Sequence, residues 1–287
     1  MTTTVPEPVK RTVQWAAVTY GRATSGGRLL PSFLVAGAQR SGTTSMYRAL
    51  AQHPNVLKAR LHKGVHYFDT AYGRGMAWYR GHFPTERQAR AVERATGVPA
   101  QTFESSPYYL CHPLAGERIA RDLPGVRFLV LLRDPVERAY SAHSHELGRG
   151  FESEPFERAL ELEESRLAGE DERIRADPGY TSHAHQHHAY VARGQYVTYL
   201  RALEKLVGRD RIHVVDSHEF FTEPASTFAA TCDFLGLPRT GDIRFERHNA
   251  RSRSPLPDAL RERLEELFRP WDAELADWLG REPSWRR

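Results

Sequence analysis

The feature that most constrains the fold is a short apolar run, Phe33–Gly37, that ends in glycine and leads into a polar loop and a helix predicted over residues 43–51. A run without polar alternation is typical of a strand buried on both faces of a parallel sheet. Further strands are predicted over residues 65–68, 101–104, 127–132 and 211–215, with helical segments between them. This alternation predicts an α/β fold: a single domain with a central parallel β-sheet flanked by helices.

The 287 residues are enough for one large domain. Residues 1–29 are predicted to be a polar segment with a short helix over residues 11–23, which the run Ser25-Gly26-Gly27 ends. The main domain is predicted to cover residues 30–287. Its helices are expected at residues 114–123, from Pro135 onward, at 190–207, and twice after the last strand.

Charge and composition exclude several classes of protein. The formal net charge is +4, and acidic and basic residues alternate through the helical region 157–175, so nucleic acid is not an expected partner. Cys111 and Cys232 form neither a disulfide framework nor a metal-ligand spacing. Residues 1–31 lack the apolar core of a signal peptide, and no apolar run is long enough to span a bilayer. We therefore expect a cytoplasmic protein, with substrates at a membrane surface left open.

An anion-binding loop is predicted between the first strand and its helix, in the sequence GAQRSGTT over residues 37–44. Backbone N–H groups and the helix N-terminus form an anion cradle in such a loop, and Gly42 permits conformations closed to other residues. Side-chain donors come from Arg40, Ser41, Thr43 and Thr44. The loop that binds ATP would carry lysine at Thr43. Its absence favours a ligand with a shorter phosphate tail and no metal; an ordinary strand–turn–helix is the alternative.

The loop resembles the 5′-phosphosulfate loop of sulfotransferases that use 3′-phosphoadenosine 5′-phosphosulfate (PAPS). Other segments are similar to the heparan sulfate and related carbohydrate sulfotransferases: KGVHYFD at 63–69, ESSPYY at 104–109 and LRDPVERAYS at 132–141. The segments at 190–196 and 234–237 fit bacterial members. The resemblance runs from about Leu30 to Gly280. It implies a sheet like that of P-loop nucleotide kinases, PAPS as donor co-substrate without a metal, and a small-molecule, glycolipid or carbohydrate acceptor.

The resemblance also implies a second phosphate site. Arg133 and Ser141 match the positions that bind the 3′-phosphate in the family. Arg133 ends the strongest strand, where open α/β sheets bind ligands, and a guanidinium contacts phosphate with two donors. A surface ion pair with Asp134 or Glu137 is the alternative for Arg133.

Three positions depart from the family pattern, and all of them touch acceptor chemistry. Gly64 stands where relatives have the glutamate that acts as general base, Arg40 where many have lysine, and Ser105 where heparan-type enzymes have lysine. General-base catalysis contributes roughly 100- to 10,000-fold, so a replacement base is needed. The candidates are His62, His66 and Glu104. Alternatively, His66 is a core residue in a strand and Glu104 a structural partner of an arginine.

The stretch His183–His187 with His188 resembles metal-binding sequence but lacks a carboxylate or cysteine at a defined spacing. It follows the loop signal Asp177-Pro178-Gly179, so a flexible loop facing the acceptor is expected rather than a metal site. The pairs Trp78-Tyr79 and Tyr108-Tyr109 either stack on an acceptor or pack in the core. Arg251 and Arg253 are expected near the adenosine.

Together these features predict a sulfotransferase that moves a sulfuryl group from PAPS to a hydroxyl or amine and releases 3′,5′-ADP. Arg40, the loop amides, Thr43 and Thr44 are expected to position the donor and stabilise charge. The acceptor is open among glycans, glycolipids and small metabolites, and the oligomeric state is not determined. The alternatives are a catalytically impaired PAPS-binding module, which Gly64 suggests, and an ATP-using P-loop kinase.

Overall fold

Five parallel strands form one sheet in the order β2-β3-β1-β4-β5 in the computed structural model, which describes residues 7–246 and 254–287, with side chains from residue 15. The strands are β1 Phe33–Gly37, β2 Val56–Lys58, β3 Gln101–Glu104, β4 Arg127–Leu132 and β5 Ile212–Asp216. All five residues of β1 are buried, as its continuous apolar run predicts. This confirms the α/β fold with a central parallel sheet.

Helices cover both faces of the sheet. Those among the described residues are α1 Glu7–Ala23, α2 Thr43–Leu50, α3 Tyr67–Thr70, α4 Met76–Arg80, α5 Glu86–Thr96, α6 Ala115–Asp122, α7 Pro135–Leu147, α8 Phe156–Leu167, α9 Glu170–Ala176, α10 His183–His187, α11 Tyr196–Val207, α12 Ser217–Thr222, α13 Pro224–Leu235 and α14 Asp258–Leu279. None of these helices is long and apolar enough to span a membrane. Three helices follow β5 rather than the two predicted.

The core is divided by the sheet because successive side chains of a strand point to opposite faces. Leu34 of β1 and Val130 of β4 pack with α6 and α11 on one face. Phe33 and Leu129 pack with α2 and α13 on the other. Both cysteines of the chain are buried and unbridged.

The strand order places β1 at the centre of the sheet. Its neighbours are β3 on one side and β4 on the other, and Leu34 pairs with both Glu104 and Phe128. The connection after β1 leads to β2 on one side of the sheet, and the connection after β4 leads to β5 on the other. Connections that diverge in this way create a crevice beyond the carboxyl ends of the strands. The segments that follow β1, β3 and β4 therefore meet at one edge.

The prediction of a strand over residues 65–68 is wrong. This segment is a loop that enters the single-turn helix α3, and the edge strand β2 lies earlier in the chain. The prediction failed because Val65, Tyr67 and Phe68 are buried apolar residues, as they would be in a strand, but they pack against the loop after β3 rather than pairing in the sheet. His66, expected inside a strand, has a left-handed backbone (φ 52°).

The N-terminal helix begins at Glu7, earlier than predicted, and packs against α4. The division into a segment 1–29 and a domain 30–287 stays a prediction.

Candidate functional site

The predicted anion loop connects the end of β1 to the first turn of α2. Gly42 adopts φ 90°, which favours glycine, and a Cβ there would lie 3.2 Å from the ring of Phe221. Ser41 and Thr43 are buried, and Met46 N–H donates to Gly42 O at 3.1 Å to begin the helix. The loop therefore presents the N-terminus of an eight-residue helix at the edge of the sheet where the carboxyl ends of the strands lie.

Arg40 joins this loop to the second predicted phosphate site. Its Nε donates to Ser141 Oγ at 3.2 Å, although the two residues are 101 positions apart. Ser141 is buried on α7, whose N-terminus Asp134 caps by accepting from Val136 N–H at 2.8 Å. The residues predicted to hold the 5′ and 3′ ends of one nucleotide are therefore adjacent.

Arg133 lies directly after β4, at the same edge. Its Nη2 is 3.1 Å from Glu137 Oε2, so the ion pair considered from the sequence is present. Glu137 also accepts from Arg261 of α14. The Arg133 side chain is 31% exposed, which leaves the guanidinium accessible to an anion.

Lys63 is a site residue to which the sequence interpretation gave no role. Its Nζ donates to Thr44 Oγ1 at 2.9 Å and lies 3.4 Å from Thr43 Oγ1. Burial, together with the nearby charges of Arg40 and Arg48, lowers the pKa of Lys63 to about 8. The available signal was its place at the start of a family-like motif, in a chain with only four lysines.

The backbone at Gly64 has no room for a side chain. A Cβ would lie 2.5 Å from Ser105 O and 2.9 Å from Ser106 Oγ. Ser105 N–H donates to Lys63 O at 2.8 Å, so the two segments run side by side. Ser105 itself is 2% exposed.

Glu104 is fully buried at the end of β3. Its carboxylate accepts from Val65 N–H (3.0 Å), Ser106 Oγ (2.6 Å), Tyr109 OH (2.7 Å) and Tyr79 OH (3.3 Å). Burial raises the pKa of Glu104, while the hydrogen bonds from Ser106, Tyr109 and Val65 oppose the rise. Four bonds from three segments make this carboxylate an anchor for the loop that carries His66.

His66 is held by Asp69 in a dyad. His66 Nδ1 lies 2.7 Å from Asp69 Oδ2, the Asp69 side chain is fully buried, and the His66 side chain is 44% exposed. Burial lowers the pKa of His66, but the hydrogen bond and charge of Asp69, with Glu104, outweigh it and leave the pKa raised. An aspartate on Nδ1 fixes the tautomer that leaves Nε2 as a proton acceptor. His62, the third candidate base, is exposed.

The histidine stretch is not the flexible loop that was expected. It forms α10, capped by Ser182, and its histidines have individual partners. His185 Nδ1 lies 2.6 Å from Tyr108 OH, His187 Nδ1 lies 2.8 Å from Glu146 Oε2, and His188 Nε2 lies 2.8 Å from Phe151 O. No group of three metal-ligating side chains occurs among the described residues.

Arg193, also missed from the sequence, connects α10 to the anion loop. Its guanidinium donates to Gln39 Oε1 in the loop and to the carbonyl oxygens of His185 and, at 3.0 Å, Gln186. It also lies over the ring of Tyr108, 5.0 Å from the ring centroid.

The aromatic pairs belong mainly to the core, since Tyr79, Tyr108 and Tyr109 are all buried. Arg251 and Arg253, expected near the adenosine, lie outside the described residues.

Comparison with known proteins supports the resemblance seen in the motifs. The model of the sulfotransferase domain family matches residues 30–253. Human heparan sulfate glucosamine 3-O-sulfotransferase 5 is 28% identical over 212 residues, which cover 73% of this chain and 54% of that protein. The membrane-associated sulfotransferase kil1 of Dictyostelium discoideum is 23% identical over 325 residues, covering 90% of this chain and 67% of kil1.

Among solved structures, the sulfotransferase from Alicyclobacillus acidocaldarius aligns with a TM-score of 0.62 and 29% identity, covering 90% of this chain and all of that one. The chain thus matches a complete bacterial sulfotransferase but spans only about half of the human relative. The family match extends over most of the chain, from before the anion loop to beyond β5. This chain belongs to the sulfotransferase domain family and is a transferase.

Proposed function

We propose that the protein transfers a sulfuryl group from PAPS to a hydroxyl or amine acceptor and releases 3′,5′-ADP. The observation that carries this proposal is the Arg40–Ser141 contact, which joins the anion loop to the second phosphate site. Two adjacent anion sites on one sheet edge suit a nucleotide phosphorylated at both its 5′ and 3′ positions. A linear triphosphate would instead need its charges met along a single loop.

The donor would be held by two groups of residues. The loop amides with Arg40, Ser41, Gly42, Thr43 and Thr44 would bind the 5′-phosphosulfate. Arg133 and Ser141 would bind the 3′-phosphate through charge-assisted hydrogen bonds. We propose binding without a metal, because threonine replaces the lysine of ATP-type loops.

His66 is the better-placed of the candidate bases, since its side chain is partly exposed and Asp69 orients it. Glu104 is fully buried and accepts four hydrogen bonds, so we assign it the positioning of the His66 loop. In the transfer, the acceptor oxygen or nitrogen forms a bond to sulfur while the bond from sulfur to the 5′-phosphate oxygen breaks. The acceptor proton passes to His66 Nε2, and the electron pair of the broken bond stays on the phosphate.

The acceptor belongs to the less acidic glycans, glycolipids or small metabolites. Relatives include enzymes named for heparan sulfate glucosamine, but this chain has buried Ser105 where such enzymes present a lysine. A cytoplasmic location stays a prediction from the sequence. Because Gly64 stands where relatives have the glutamate base, a second candidate function is a protein that binds PAPS without turnover.

Nucleotide binding tests the proposal. Calorimetry should show 3′,5′-ADP binding more tightly than ATP, with no dependence on magnesium. Tight ATP binding that requires magnesium would refute the sulfotransferase assignment and favour a kinase. An acceptor screen with labelled PAPS then separates the enzyme, which transfers label, from the binding module, which does not.

A further inference from the structure

Lys63 approaches the helix N-terminus at the position where ATP-binding loops carry their lysine. That lysine would be residue 43 here, and the chain has threonine instead. Lys63 Nζ lies 3.4 Å from the Thr43 hydroxyl and 2.9 Å from that of Thr44. A different segment of the chain therefore brings an ammonium group to the same end of α2.

Arg40 has a different hydrogen-bond partner. Its Nε donates to Ser141, on the side of the site proposed for the 3′-phosphate. The two cations therefore lie close to each other but contact different hydroxyl groups, and they differ in chemistry. Arginine stays charged at every accessible pH, whereas a buried lysine titrates.

We propose that Lys63 is the cation that stabilises the transferring sulfuryl group and the leaving 5′-phosphate, a task that the sequence assigned to Arg40. This inference rests on the proposed function. As the bond from sulfur to the phosphate oxygen breaks and its electron pair stays on that oxygen, the Lys63 ammonium keeps its proton and donates hydrogen bonds to the oxygens that gain charge. The acceptor proton leaves separately, to His66. Preorganised donors aimed at developing charge are a principal source of catalysis.

The surroundings of Lys63 make this cation sensitive to pH. Arg40 from the anion loop and Arg48 from α2 face it, and both disfavour its charged form. On its own segment His66 lies close enough to interact electrostatically with Lys63. The nearby carboxylate of Glu104 is already engaged by four donors. In the free protein, Lys63 is therefore charged below a pH of about 8 and loses its charge above it.

The test compares Lys63→Met and Lys63→Arg with wild type, using Lys58→Met on β2 as the matched control at an exposed lysine. Affinity for 3′,5′-ADP is measured between pH 7 and 9.5. For wild type and Lys58→Met it should weaken above pH 8, approaching about tenfold per pH unit, because one proton is coupled to binding. For Lys63→Arg it should stay strong and nearly constant, and for Lys63→Met weak and nearly constant.

With a verified acceptor, kcat/KM reports the free enzyme in the same way. We expect a loss of about 100-fold for Lys63→Met, and an alkaline limb near pH 8 that Lys63→Arg removes. The inference would be overturned if wild-type affinity for 3′,5′-ADP stays constant between pH 7 and 9.5 and Lys63→Met binds as tightly as wild type. The proposed function would then still stand. No binding of 3′,5′-ADP to wild type would overturn the proposed function itself. If Lys63→Met does not fold, the pH profile of Lys63→Arg decides alone.

Discussion

The two halves of the site differ in how closely they follow the family pattern. The proposed donor side, made of residues 37–44 with Arg133 and Ser141, keeps the family motifs, apart from Arg40, and brings Arg40 and Ser141 together in space. The proposed acceptor side, made of residues 64–69, 104–109 and α10, departs at Gly64 and Ser105 and contains a histidine-rich helix. Under the proposed function, the PAPS donor constrains the first side, whereas the second can differ with the acceptor.

The difference also extends to the type of contact. On the donor side the main elements are backbone amides and a helix end, which many sequences can supply once the loop is formed. On the acceptor side a buried carboxylate, Glu104, is surrounded by donors from three segments. Networks of this kind fix a unique arrangement because each buried polar group needs its partner.

The largest effect is expected on the acceptor side, from His66→Ala. Removing a general base should lower kcat by roughly 100- to 10,000-fold, while affinity for 3′,5′-ADP changes little. Steady-state kinetics on a verified acceptor, with calorimetry for the nucleotide, measures both. His62→Ala is the matched control. Full activity in His66→Ala together with loss of activity in Glu104→Gln would make Glu104 the base instead.

The same dyad predicts the acid limb of the pH profile. A base works only when unprotonated, so kcat/KM should rise with pH through a pKa above the usual value of about 6.5 for histidine. Asp69→Asn removes the charge that raises the pKa of His66, so it should move this limb to lower pH. An unmoved limb would show that another group sets it.

A smaller effect is expected on the donor side from Arg133→Ala. Loss of a charge-assisted hydrogen bond costs about 1.5–3 kcal/mol, so affinity for 3′,5′-ADP should fall roughly tenfold or more. Affinity for 5′-AMP, which lacks the 3′-phosphate, should hold. Arg158→Ala, at an exposed arginine of α8, serves as the control. Equal losses for both nucleotides would show that Arg133 acts through its ion pair with Glu137 rather than on the 3′-phosphate.

The smallest effect concerns the backbone at Gly64. A Cβ there meets Ser105 O at 2.5 Å, so Gly64→Ala should lower the free energy of unfolding by about 1–3 kcal/mol, as overpacking does. Gly73→Ala, where a Cβ meets nothing within 4 Å, should change it little. Denaturant titration compares the two.

For the same reason Gly64→Glu should not raise turnover; a gain on a sugar acceptor would show that the segment can open and that the family's base has been lost.

The donor side could be read largely from the sequence because its signals are local. The continuous apolar runs of β1 and β4 and the glycine-containing loop after β1 specify a strand, a turn and a helix N-terminus within a few residues. The roles assigned to these residues stay predictions, but their elements and proximity are as expected.

The acceptor side depends on contacts between distant segments, and there the predictions failed more often. Residues 65–68 have the apolar content of a strand, yet their packing is set by Glu104 and Tyr109 from another part of the chain. Nothing in the residues around Lys63 shows that it reaches Thr44. The histidines of α10 were expected in a loop because they follow Asp177-Pro178-Gly179. Their partners Tyr108 and Glu146 lie too far away in sequence to be predicted from that signal.

Arg193 couples two parts of the molecule. Its buried side chain donates hydrogen bonds to Gln39 in the anion loop and to the carbonyl oxygens of His185 and Gln186 at the end of α10. If nucleotide binding displaces Gln39, the displacement changes the energy of α10 as well, and linkage makes the coupling reciprocal. An acceptor that binds next to α10 would then change nucleotide affinity by the same factor by which the nucleotide changes acceptor affinity. Substitutions in α10 that alter acceptor choice would accordingly also alter nucleotide affinity.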